Sequence, residues 1–239
     1  MSFSSRVLYL FSLLVVCLFS ILSFAQDTDL HIVTESSPPY QMLINDEVAG
    51  TATDKVKRII EKAGLTASFN LYPWARAYKI ALNQPNTLIY ALAKTDTRLG
   101  LFHWLSPVTS YEFGLVKLTD RHDIHLNSLA DIKNYRLAVQ REDISHEWLL
   151  NQGLIENEHF ITCSDINCSW QLLLNKNVDL IIETPELIEN MLKRYQQQAK
   201  SAVYMMPIPE LAIIGYLASN YHIDPLFLAK LQQAIASHQ

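Results

Sequence analysis

The sequence predicts an α/β fold with mostly parallel sheets, and three observations carry that prediction. Short apolar runs bounded by polar residues, such as Leu88–Ala93 and Val178–Glu183, have the pattern of strands covered on both faces. Segments with apolar residues at helical spacing stand between them, so strand and helix alternate along the chain. A charged interruption, Thr119-Asp120-Arg121-His122-Asp123, divides that alternation into two units.

Leu30–Thr34 reads as the first strand, ended by Glu35-Ser36-Ser37-Pro38-Pro39 because two prolines cannot continue a ladder. Asp54–Ala63 carries Val56, Ile59, Ile60 and Ala63 at i, i+3, i+4 and i+7, a helix that Gly64 terminates. Ala67–Leu71 is the next strand. Pro73 opens a second helix where a missing N–H costs nothing, with Trp74, Ala77, Tyr78 and Ala81 on its inner face, and the Leu88–Ala93 strand follows.

In the second unit Tyr135–Gln140 is a strand, and Asp143 caps a helix over Ile144–Gln152 that stops at Gly153. The Val178–Glu183 strand leads into Thr184-Pro185-Glu186, a cap followed by a first-turn proline and acid, with Leu187, Ile188, Met191 and Leu192 turned inward. Val203–Pro207 and Ile213–Ser219 read as two further strands. Asp224-Pro225 caps a closing helix with Leu228, Leu231 and Ile235 in one stripe. Ligands of open α/β sheets lie at the carboxyl ends of strands, so loops 35–40, 94–98, 140–145 and 183–186 are the candidates, and two such sheets face to face make a cleft.

Composition excludes some classes. With 19 Lys+Arg against 24 Asp+Glu the formal charge of the 239-residue chain is −5, which argues against a nucleic-acid partner. At 49% hydrophobic and 18% charged residues the chain can bury an ordinary core. Residues 1–25, with Arg6, the apolar run Val7–Phe24 and Ser23-Phe24-Ala25, read as a secretory signal peptide cleaved after Ala25, which places the mature protein in the periplasm. An uncleaved anchor is the alternative; polar Gln26-Asp27-Thr28-Asp29 favours cleavage, and Val16 before Cys17 argues against a lipid anchor.

Two cysteines then remain, Cys163 and Cys168. In an oxidising compartment they read as a local disulfide contributing about 2 kcal/mol. A metal site is the poorer reading, because His159 completes no ligand set, and His122-Asp123-Ile124-His125 reads as a polar linker. No phosphate loop, Gly-x-Ser-x-Gly or His-Glu-x-x-His is present, so no cofactor or metal and no catalytic residue is expected.

Several segments in order, TESSPPY (34–40), GTATD (50–54), PWARAY (73–78), KTDTR (94–98), FHWLSP (102–107), SLADIKNYRLAVQ (128–140) and VDLIIET (178–184), resemble the bacterial extracellular solute-binding proteins of family 3. Those are the periplasmic receptors of polar amino-acid ABC transporters. The resemblance implies a two-lobed, type II periplasmic-binding-protein clamshell with a two-segment hinge. Residues 26–116 and 206–239 would form lobe one, and 117–205 lobe two. It also implies a monomer that takes a small-molecule ligand, an amino acid or related carboxylate, to an inner-membrane ABC permease.

By the same resemblance Arg98 grips the ligand's carboxylate with its planar fork, and Thr95 adds a hydroxyl. Tyr40 and Trp74 wall the ligand, although Trp74 also fits a core position on its helix. Glu35 faces either the ligand or solvent. Glu183 or Thr184 takes the ammonium position, one of the two only, since neighbouring strand residues point to opposite faces. Arg141 offers a second anion contact or lies solvated, and Arg141-Glu142-Asp143 departs from the Gly and Ser or Thr usual in such receptors. A dehydratase-like enzyme on the same clamshell and a diffusible ligand-sensing accessory protein are the other two readings.

Overall fold

A computed structural model describes residues 30–237; the segment 1–25, read from the sequence as a signal peptide, lies outside them. The strands are β1 (Leu30–Thr34), β2 (Met42–Ile44), β3 (Glu47–Ala49), β4 (Ala67–Leu71), β5 (Thr87–Ala93), β6 (His103–Leu118), β7 (Leu137–Gln140), β8 (Phe160–Cys163), β9 (Leu180–Glu183) and β10 (Ala202–Ser219). The helices are α1 (Thr51–Lys62), α2 (Trp74–Asn83), α3 (Ile144–Asn151), α4 (Ile166–Leu174), α5 (Pro185–Arg194) and α6 (Pro225–Ala236).

Eight strands form one mixed, mostly parallel sheet in the order β4-β1-β5-β10-β6-β9-β7-β8, and β2–β3 is a separate hairpin. Two parallel triplets, β4-β1-β5 and β9-β7-β8, flank the antiparallel pair β10–β6. The expectation of two separate sheets is thus corrected, because β6 and β10 are long enough to run through both triplets. Each half keeps its own core. Successive residues Ile32 and Val33 enter different clusters on opposite faces of β1, one under α1 and α6, the other under α2. Ile181 and Ile182 divide in the same way between a cluster with α4 and α5 and a cluster with α3.

Along β6, Val108 packs in the first half and Leu115 in the second; along β10, Leu211 packs in the second and Leu217 in the first. The halves therefore exchange between those residues. There the β6–β10 register jumps from the Pro207–Gly114 pair to the Ala212–Glu112 pair, so a loop of β10 containing Pro209 bulges out of the ladder. Gly114 stands at this crossing, paired with Pro207 on one side and Glu183 on the other. A Cβ at Gly114 would run into the Met206 carbonyl and the Tyr204 ring, which is why only glycine fits.

Candidate functional site

The carboxyl ends of β1, β5, β7 and β9 converge on a cleft between the two halves. It is lined by residues that include Glu35 and Ser36 after β1, Trp74 of α2, Ala93 of β5, Arg98, Tyr111 and Phe113 of β6, Gln140 and Asp143 around the start of α3, Ser169 of α4, and Glu183 of β9. This is where a parallel α/β sheet leaves helix N-termini and strand ends unpaired. The free volume is about 40 Å³, room for a few waters.

The first half reaches across to the second at one turn. Glu142 holds a left-handed backbone, φ 60°, and its carbonyl accepts from Trp74 Nε1 at 2.8 Å and from Arg98 Nη2 at 3.1 Å. A non-glycine residue in that region is uncommon and is held there by its surroundings. Here the Glu142 N–H also donates to His146 Nδ1. Arg98 Nη2 donates further to Glu147 Oε1 at 2.6 Å, and Thr97 donates to Glu147 Oε2. The guanidinium lies 5.4 Å from the Trp74 ring centroid and 5.2 Å from that of Tyr78, and Arg98 is only 2% exposed.

Of the carboxyls opposite, Glu35 and Asp143 feel Arg98 but form no ion pair with it. Burial, then the neighbouring Asp143 charge, pushes Glu35 up to about 8, against the Gln140 amide and Arg98. Burial carries Asp143 to about 7, even though it accepts the His146 N–H as the cap of α3. Glu183, 6% exposed, is raised well above the usual carboxylate range by burial, by Glu35 and by Asp143. Glu35 Oε2 and Ser169 Oγ are buried without a partner, and Ser169 is 3% exposed.

Of the sequence-predicted residues, Glu35, Trp74, Arg98 and Glu183 line the cleft; Tyr40, Thr95, Thr184 and Arg141 do not. Tyr40 packs edge-on against Tyr111 and approaches Glu186, and burial raises its phenol to about 12. The Thr95 hydroxyl is taken by Thr97. Thr184 occupies the cap position of α5 but its side chain makes no cap bond, a correction to the sequence expectation; its hydroxyl is buried and unpartnered. Arg141 is exposed, its N–H spent on the Cys163 carbonyl.

Sequence reasoning passed over Glu147, Tyr111 and Ser169, and reached Gln140 only as the start of the 140–145 loop. A signal for Glu147 existed, since it follows Asp143 by four residues and so shares a helix face with that cap. Cys163 and Cys168 form the disulfide, with Cα atoms 5.5 Å apart. Among the described residues no group of three His, Cys, Asp or Glu is placed to hold a metal. Nor is any helix among them long and apolar enough to cross a membrane.

No family model matches the chain, and no curated protein matches it. Solved structures do share the fold. A histidine kinase sensor domain with similarity to periplasmic binding proteins matches with a TM-score of 0.75 at 17% identity, over 88% of this chain and 90% of that one. The arginine-, lysine-, histidine-binding protein ArtJ from Geobacillus stearothermophilus gives 0.72 at 14%, over 88% and 89%. A point mutant of arginine-bound ArgBP from T. maritima gives 0.72 at 12%, over 88% and 95%.

Proposed function

We propose that this chain is a periplasmic solute-binding protein that captures a small polar solute between two lobes and delivers it to an ABC-type permease. One observation carries the reading: a polar cleft lies where two separately packed halves meet, and the two long strands cross between them. The lobes correspond to the two halves, hinged where β6 and β10 pass from one core to the other, between residues 108–115 and 211–217.

Glu35, Trp74, Arg98 and Glu183 are the proposed contacts, joined by Gln140, Asp143, Ser169 and Tyr111. Ligand entry is by parting of the halves, since the cleft as it stands has free room for a few waters. The structural likeness to ArtJ and ArgBP supports solute binding, and the likeness to a kinase sensor domain supports ligand sensing as the second reading. A thermal-shift screen over amino acids, small carboxylates and amines tests the proposal. A true ligand raises the melting temperature in proportion to the logarithm of its concentration, whereas a screen without any stabiliser overturns the reading. Recovery of the bound compound chemically unchanged separates a receptor from a dehydratase-like enzyme.

A further inference from the structure

Resting on that reading of the cleft, we infer that the solute is a small organic cation lacking a carboxylate, an aliphatic diamine or aminoalkylguanidine, held by Glu35 and Glu183. The first support is charge. Arg98 is the one cation among the lining residues, and its Nη2 is already taken by Glu147 and by the Glu142 carbonyl. A ligand carboxylate would therefore share the guanidinium with Glu147 and meet three lining carboxyls besides. The lining carboxyls, Glu35, Asp143 and Glu183, come from three different elements and meet no second cation.

The second support is hydrogen bonding left unsatisfied. Ser169, on the first turn of α4, presents a hydroxyl with no partner although the residue is almost wholly buried. Glu35 Oε2 is likewise buried and unpaired. Buried polar atoms of this kind are normally satisfied, so these point to a group that arrives from outside. The Ser169 hydroxyl and Glu35 Oε2 can each accept a hydrogen bond, and an ammonium or guanidinium offers only donors. Trp74, Tyr111 and Phe113 add aromatic surface suited to an aliphatic chain and a cation.

The charged and titratable groups that act on Glu35 and Glu183 are each other, Asp143 at the start of α3, Arg98 of the loop before β6 and the phenol of Tyr111; Glu147 acts on Asp143 in turn. With the cleft empty, mutual repulsion and burial leave protons on the acids. A bound cation replaces them, so binding releases protons and tightens as pH rises.

The test is a matched pair, arginine against agmatine, which is arginine without its carboxyl group, with 1,4-diaminobutane and glutamate alongside. Each is titrated calorimetrically at pH 6 and pH 8 in two buffers of different ionisation enthalpy. Agmatine or the diamine is expected to bind at least as tightly as arginine, to release protons, and to bind more tightly at pH 8. Glu183→Gln and Glu35→Gln should each weaken it by about tenfold or more while leaving the empty protein at least as heat-stable. Binding of arginine or glutamate but not of the two amines would overturn the inference and leave the solute-binding proposal standing. Amine binding without proton release, or unaffected by both substitutions, would also overturn it. Binding of nothing across the full screen of amino acids, carboxylates and amines would overturn both.

Discussion

Because Glu35, Asp143 and Glu183 lose water and face one another, each keeps its proton to a higher pH than a free carboxyl does. In the unfolded chain Glu35 and Asp143 ionise near 4.5 and 3.8; in the folded one they ionise near 8 and 7. Over that interval the folded state binds more protons, so their contribution to stability is full below the unfolded values and is lost as pH rises through the folded ones. The ligand-free protein should therefore melt lower at pH 8.5 than at pH 5.5, with about 2–4 °C for each kcal/mol. Glu183→Gln should flatten that slope, and a level profile in the parent would contradict the burial of these groups. Trp74→Phe keeps an apolar ring and deletes the N–H that reaches Glu142; it should cost about 1 kcal/mol in denaturant titration. Arg98, after a buried strand, and Glu183 or Thr184, at the end of another, were named through the family resemblance; of these Arg98 and Glu183 line the cleft. Ser169 and Tyr111 were not named, since only tertiary packing brings them to the same cleft.

At the level of elements, β1, β4, β5, β7 and β9 and five of the helices were readable from periodicity and caps, with ends shifted by a few residues. The missing parts have identifiable causes. β6 contains Pro107 and an irregular burial pattern, because one end serves each half. Val203–Pro207 and Ile213–Ser219 read as two strands, and they are one, since Pro209 falls in the bulge where no ladder N–H is needed. β8 and α4 were hidden in a stretch read only as a disulfide loop; Asp165 caps α4 by accepting the Cys168 N–H. The β2–β3 hairpin was also passed over, although Asn45 and Asp46 supply its two left-handed turn positions. The disulfide ties the end of β8 to the first turn of α4. Replacing both cysteines by serine should cost about 2 kcal/mol, seen as a lower unfolding midpoint, with faster hydrogen exchange concentrated in α4. Gly114→Ala should cost about 1–3 kcal/mol, because the added methyl has no space at the strand crossing.

For the molecule as a whole, motion follows from where the halves hold each other. On the proposed reading, closure rests on Trp74, Thr97 and Arg98 of one half holding Glu142 and Glu147 of the other. Arg98→Met should therefore raise the open population, and small-angle scattering should show a larger radius of gyration for the empty variant than for the empty parent. An unchanged radius would place the control of closure elsewhere. The crossing of β6 and β10 has a further consequence for the birth of the chain. The second half is a continuous insert whose two ends lie side by side as paired neighbours, Gly114 and Pro207, so the ribosome completes it in one stretch. The first half needs Leu217 and Leu231 before its core is whole. The middle of the polypeptide can thus close its core while the earliest-made strands still await the last-made helix.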